Sequence, residues 1–184
     1  MRLKRVIAMT FNFRDYIDFS EKLVRDSEKT TIKARQLALL SSSLIFAWIA
    51  IESFVNNMID DFNQIPPDMF QMHEKAFLLE KSLRFGDKGV NIGKFIIDKN
   101  RNEFRRLEDK IFFLIAKFSS ANNIKGDTLW QSFERFRDKR NTIVHPRRDN
   151  DLSLDVEEVV TYQNVTKKII SLISENVLKK KILF

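Results

Sequence analysis

Few side chains in this sequence have an ordinary pKa near neutrality: it has 2 histidines and no cysteine. One of the two, His145, follows Arg140 and Asn141 and precedes Pro146. An imidazole moves protons near neutral pH. A guanidinium keeps its charge at any useful pH and can hold an anion through several N–H groups. The pair therefore offers proton transfer next to a bound anion. Leu129, Phe133, Phe136 and Ile143 recur at steps of three and four, which predicts an amphipathic helix with Arg140 inside its buried stripe. An arginine there needs a partner or a wet crevice. Pro146 disfavours helical geometry at His145, so the helix should end there. On an unbroken helix Arg140 and His145 would stand about 140° apart, whereas Asn141 and His145 could share a face.

A second helix must position a partner for this stretch. The cleanest stripe in the chain is Leu44, Trp48, Ile51, Val55, Met58 and Phe62, within a long helix from about Thr31 to Asn63 that Pro66-Pro67 should stop. Glu52 is the only formal charge between Arg35 and Asp60. It lies about 80° from the centre of that stripe at 100° per residue. It is either an ordinary boundary residue or the counter-charge of Arg140, each satisfying the other.

The other elements follow from periodicity. A first helix is expected from about Phe13 to Glu28, with Tyr16, Phe19 and Leu23 inward. A shorter one is expected from Asp68 to Phe85, carrying Phe70, Phe77 and Leu78, with His73 a surface side chain. Gly86, Gly89 and Gly93 mark a loop. They do not form a phosphate loop, because no Gly-Lys-Ser/Thr follows and no strand is expected before them. Another helix is expected from Arg101 to Phe118, with Phe104, Leu107, Ile111, Leu114 and Ile115 inward and a break at Asn122-Asn123 and Gly126. Thr128 to Gln131 offers a capping box for the motif helix, with Asp127 adding favourable charge. A last helix should follow Ser153 as its cap, with Lys179 to Lys181 at its C-terminal end.

Composition agrees with this helical reading. At 184 residues with 43% hydrophobic and 31% charged, the chain reads as one domain, residues 1–12 forming an N-terminal arm. Only 4 Gly and 3 Pro argue against a sheet protein with many turns. The expected fold is all-α, a single bundle of five to six helices. Absence of cysteine excludes disulfides and thiolate metal sites and fits a reducing cytosol. A net charge of +7 suits nucleic acid or an acidic partner. The apolar run after Met1 is short for a signal peptide, and the uncharged run Gln36–Ile51 falls short of a membrane span, so a soluble, cytoplasmic protein is expected.

Arg140-Asn141-x-x-x-His145-Pro146, late in a helical chain, resembles the R-x4–6-H motif of the HEPN superfamily. Ala50-Ile-Glu52-Ser-Phe54 is similar to the acidic pattern that HEPN relatives carry in an early helix. The resemblance implies a helical bundle that dimerises so that two motifs line one cleft. It implies a metal-independent endoribonuclease with no cofactor, cutting single-stranded RNA to a 2′,3′-cyclic phosphate as a toxin or anti-phage effector. His145 would be general acid or base, Arg140 would hold the phosphate, Asn141 would orient groups, and Glu52 would complete the site. Arg137, Lys139, Arg147 and Arg148 would contact RNA. The implied partners are the RNA, a second copy of the chain and an antitoxin or defence protein, with no membrane. Toxins whose antitoxin is a nucleotidyltransferase carry a tyrosine two residues after the histidine; here that position is Arg147.

Two other readings fit the same residues. One is a catalytically silent HEPN module binding nucleotide, RNA or a partner protein. The other is a helical interaction domain in which Arg140 and Glu52 merely pair in the core.

Overall fold

A computed structural model describes residues 12–63, 69–86, 89–119, 124–146 and 152–184. Pro66-Pro67, Asn122-Asn123 and the Arg147–Asp151 turn lie outside the described residues, as does nearly all of the N-terminal arm. The described residues are mostly helical. They form α1 (Phe13–Glu28), α2 (Lys33–Asn63), α3 (Met72–Leu78), β1 (Lys81–Phe85), β2 (Phe95–Asn102), α4 (Leu107–Phe118), α5 (Thr128–Val144) and α6 (Val156–Ile173). The chain packs as two compact units, one holding residues 1–54, 125–170 and 184, the other residues 55–124 and 171–183.

In the first unit, α1 starts on a capping box: the Asn12 side chain accepts from the Asp15 backbone N–H at 3.3 Å, and the Asp15 side chain accepts from that of Asn12 at 2.8 Å. Its buried face is Ile17, Ser20, Val24 and Ser27, not the expected Tyr16, Phe19 and Leu23. The small serines decide this. The hydroxyls of Ser20 and of Ser43 on α2 lie 2.9 Å apart, and each is placed to donate its one proton to the other residue's carbonyl, at 2.9 and 2.8 Å. Gln163 of α6 donates to both hydroxyls, at 2.9 and 3.1 Å. All three residues are buried, so a satisfied polar cluster joins α1, α2 and α6. Around it lie Val24, Leu40 and Val159, with Leu44, Ala47, Ile51 and Ile169 also in the unit's core. Tyr16 and Phe19 instead lie along Phe46, ring centroids 6.2 and 5.9 Å away.

Two boundary residues differ from expectation. Asp127, not Thr128, caps α5, accepting from the Leu129 backbone N–H at 3.1 Å. At the start of α6 the side chain that accepts a helix N–H is that of Asp155, from Glu158 at 2.7 Å, not that of Ser153. By length and composition alone, Lys33–Phe62 of α2 is long enough and apolar enough to cross a membrane, and half of its most apolar 18-residue window is buried within the protein. The shorter uncharged run Gln36–Ile51 understated it, because Glu52 and Arg35 interrupt the run without breaking the helix.

The second unit departs most from the sequence reading. α3 ends at Leu78, and Glu80 turns the chain with φ 54°. β1 and β2 then pair antiparallel, Leu83 opposite Ile97 and Phe85 opposite Phe95, with the register breaking between Lys81 and Ser82. A strand therefore does lead into Gly86, and within the helix expected from Asp68 to Phe85 only Met72–Leu78 is helical while Lys81–Phe85 is strand. The helix expected from Arg101 starts only at Leu107, and Phe104 is 84% exposed rather than inward. Period-two alternation over Ser82–Phe85 and the β-branched pair Ile96-Ile97 carry the hairpin. In its loop Gly93 takes φ +76° and its N–H reaches the Gly86 carbonyl at 3.1 Å, a backbone shape that favours glycine. Ile111, Leu114 and Ile115 of α4 are fully buried as expected. After α6 a π turn over Ser174–Leu178 ends at Lys179, whose ammonium group reaches the Phe118 carbonyl at 3.0 Å.

Candidate functional site

The site is built on one indole. Trp48 of α2 is 4% exposed. Its ring stacks on Phe133 of α5, centroids 5.3 Å apart and planes 11° apart, and meets Phe136 edge-on at 5.3 Å. Phe136 in turn stacks on Tyr162 of α6 at 4.9 Å. Phe133 and Phe136 are fully buried, as their spacing predicts; Leu129 and Ile143 are only half-buried, and Trp130 takes the inner position. This aromatic stack fixes α5 against α2 and α6 and so sets where the end of α5 lies.

Glu52 and Arg140 both meet that indole. The Trp48 Nε1–H donates to Glu52 Oε1 at 2.8 Å. The Arg140 guanidinium carbon lies over the Trp48 ring, 5.8 Å from its centroid, within cation–π range. No ion pair joins Glu52 to Arg140 among the described residues, so the direct pairing weighed from sequence does not form. The two charges are brought near one another through the edge and the face of the same ring. Sequence reasoning placed Trp48 only in the apolar stripe; its i, i+4 relation to Glu52 was the signal that the indole N–H had an acceptor.

Asn141 and His145 finish the site. Arg140 donates to Asn141 Oδ1 at 3.0 Å, which uses one of five guanidinium N–H groups. The His145 backbone N–H closes the last turn on the Asn141 carbonyl at 2.9 Å. His145 then leaves the helical path with φ −123° and ψ 66°, ending α5 where Pro146 requires. Asn141 and His145 are exposed and Arg140 is half-buried, so the imidazole is open to solvent and to a ligand.

The expected RNA-contacting residues divide. Lys139 is committed within the chain: its ammonium group donates to the Ser153 carbonyl at 2.9 Å and pairs with Glu158 of α6 at 3.0 Å. Glu158 also accepts from the Tyr162 hydroxyl at 3.4 Å; burial, with the Glu158 charge beside it, raises the Tyr162 pKa. Arg137 bonds Asp138 at 2.8–2.9 Å. Arg147 and Arg148 lie outside the described residues. Among the described residues no three His, Asp or Glu side chains gather as a metal site. What the arrangement can do is hold an anion on a ring-supported arginine beside an exposed imidazole. Compared with known proteins, the chain matches no family model, no curated protein and no solved structure.

Proposed function

We propose that this chain is a HEPN-type, metal-independent endoribonuclease that cuts single-stranded RNA. The observation that carries the reading is the convergence of Glu52 and Arg140 on Trp48 at the end of α5, with His145 exposed one helical turn beyond Asn141. Both short stretches that resemble the family thus meet in space, though they are about ninety residues apart in sequence.

In the proposed reaction an imidazole takes the proton of a ribose 2′-hydroxyl. The 2′ oxygen forms a bond to phosphorus, the bond from phosphorus to the 5′ oxygen breaks, and an imidazolium returns a proton to that leaving oxygen. The products are a 2′,3′-cyclic phosphate and a 5′-hydroxyl. Among the described residues only one of the five Arg140 N–H groups is taken, which leaves four to meet the charge that grows on the phosphoryl oxygens. Trp48 restrains that guanidinium, and Glu52 holds the indole that does so. A homodimer would supply the second imidazole, so that one acts as base and the other as acid. Within this reading the protein acts in the cytoplasm as a toxin or anti-phage effector, controlled by a partner protein.

A second reading has its own support. Lys139 and Arg137 both spend their charge within the chain, which leaves a less basic surround than a ribonuclease groove calls for and favours a silent binding module. Cleavage of labelled single-stranded RNA in excess EDTA separates the two: the ribonuclease leaves cyclic-phosphate ends, the module binds without cutting.

A further inference from the structure

The second unit holds a cleft of about 570 Å³ between α3, β1 and α4, lined by residues the reaction above does not use. Phe77 and Phe113, centroids 5.5 Å apart, form its apolar wall with Leu83, which is 38% exposed. Such a volume suits a small organic ligand, and the wall suits a flat apolar body.

Its polar lining is of two kinds. Lys81 donates to the Lys99 carbonyl at 3.0 Å and to Asn102 Oδ1 at 2.5 Å, and among the described residues it has no carboxylate within ion-pair distance and keeps a third N–H. Arg105 lies over the Phe77 ring at 5.6 Å and pairs with Glu103, yet its Nε–H is shut away from solvent with no acceptor among the described residues. The chain leaves this buried donor unsatisfied, an arrangement that a ligand oxygen would relieve. Against these cations stand two carboxylates, each already balanced: Glu103 by Arg105 and Glu74 by Lys117. They remain able to accept from ligand N–H or O–H groups. His73, exposed at the rim, is the other histidine of the chain.

We propose that this cleft binds a nucleoside monophosphate: the base against Phe77, Phe113 and Leu83, the phosphate on Lys81 and Arg105. A fatty or simple aromatic acid would use the wall and the cations but bring no N–H or O–H group to the remaining lone pairs of the two carboxylates. A nucleotide carries all three features, an aromatic plane, an anion, and amino or hydroxyl donors. The site is independent of the ribonuclease reading, since none of its residues belongs to the Arg140–His145 group.

The test is calorimetric titration of the full chain with AMP, GMP, CMP and UMP, and with the free nucleoside and ribose 5-phosphate of the tightest binder. Saturable binding of at least one nucleotide is expected, with either half bound at least tenfold more weakly. Lys81→Gln, a change at an exposed ammonium group, should weaken it about tenfold, and Arg105→Gln at least as much. Arg140→Ala should leave it unchanged. If none of the four nucleotides binds, or Lys81→Gln has no effect, or binding is lost in Arg140→Ala alone, the proposal is wrong.

Discussion

Replacing Trp48 by phenylalanine keeps an aromatic ring against Phe133 and Phe136 but deletes the N–H that reaches Glu52. Two terms set the cost. A hydrogen bond to a charged acceptor contributes about 1.5–3 kcal/mol, and the low end applies because Glu52 is half-buried and water can replace the donor. The smaller ring leaves ~40 Å³ unfilled, which at ~24 cal/mol per Å³ adds about 1 kcal/mol. The sum is about 2.5 kcal/mol. To isolate the bond from the cavity, Trp48→Phe, Glu52→Ala and the double variant form a cycle, measured by urea unfolding followed by far-UV circular dichroism. The expected coupling is about 1–1.5 kcal/mol, and under the ribonuclease reading Trp48→Phe should also slow cleavage by loosening Arg140. Additive single effects, within the ~0.3–0.5 kcal/mol typical of independent sites, would refute the idea that the indole ties Glu52 into the site.

Other outcomes follow from the same geometry. Gln163→Leu should destabilise the protein by about 1–3 kcal/mol in urea unfolding, because the Ser20–Ser43 pair loses its donor in a buried setting. Lys139→Met should lower the melting temperature, by about 1 kcal/mol equivalent, while RNA affinity at fixed salt stays within twofold, since its charge is spent on Glu158 and the Ser153 carbonyl. Burial pushes the Glu74 pKa up, but bonds from Lys117 and the Gln71 backbone N–H and the nearby positive charges outweigh it and hold it below the usual glutamate value. Its contribution to stability is therefore full above that usual value and lost as the pH falls through the depressed one. Glu74→Gln should lower stability at neutral pH and flatten the acid limb of a melting-temperature profile.

The large helices were legible because their signals are local and repeated. The α2 stripe is buried from Leu44 through Trp48, Ile51 and Val55 to Met58, with Phe62 at its end only half-buried, and Phe133 and Phe136 are buried at the spacing that predicts it. The hairpin was not legible because its strands are short and its apolar residues face outward. Phe85 and Phe95 are 59% and 61% exposed, so their pairing buries little apolar surface and leaves only a short period-two signal. For α1 the inward face includes Ser20 and Ser27, and a serine such as Ser20, whose partners Ser43 and Gln163 lie 23 and 143 residues away, leaves no trace in hydropathy. At the site, the identities of Arg140, Asn141, His145 and Glu52 were readable from type and spacing. The way Glu52 and Arg140 meet was not, because it passes through a tryptophan whose apolar bulk and polar N–H serve different neighbours.

The central claim is that Arg140 and His145 perform RNA cleavage. The most direct measurement is hydrolysis of an end-labelled single-stranded RNA in excess EDTA by wild type, His145→Ala and Arg140→Ala, each shown folded by circular dichroism. The account predicts cutting by wild type with 2′,3′-cyclic-phosphate ends, and a loss of at least a hundredfold in both variants, the lower range for a removed acid–base group or charge stabiliser. Equal cutting by all three, or a wild type that binds RNA and never cuts it, would contradict it.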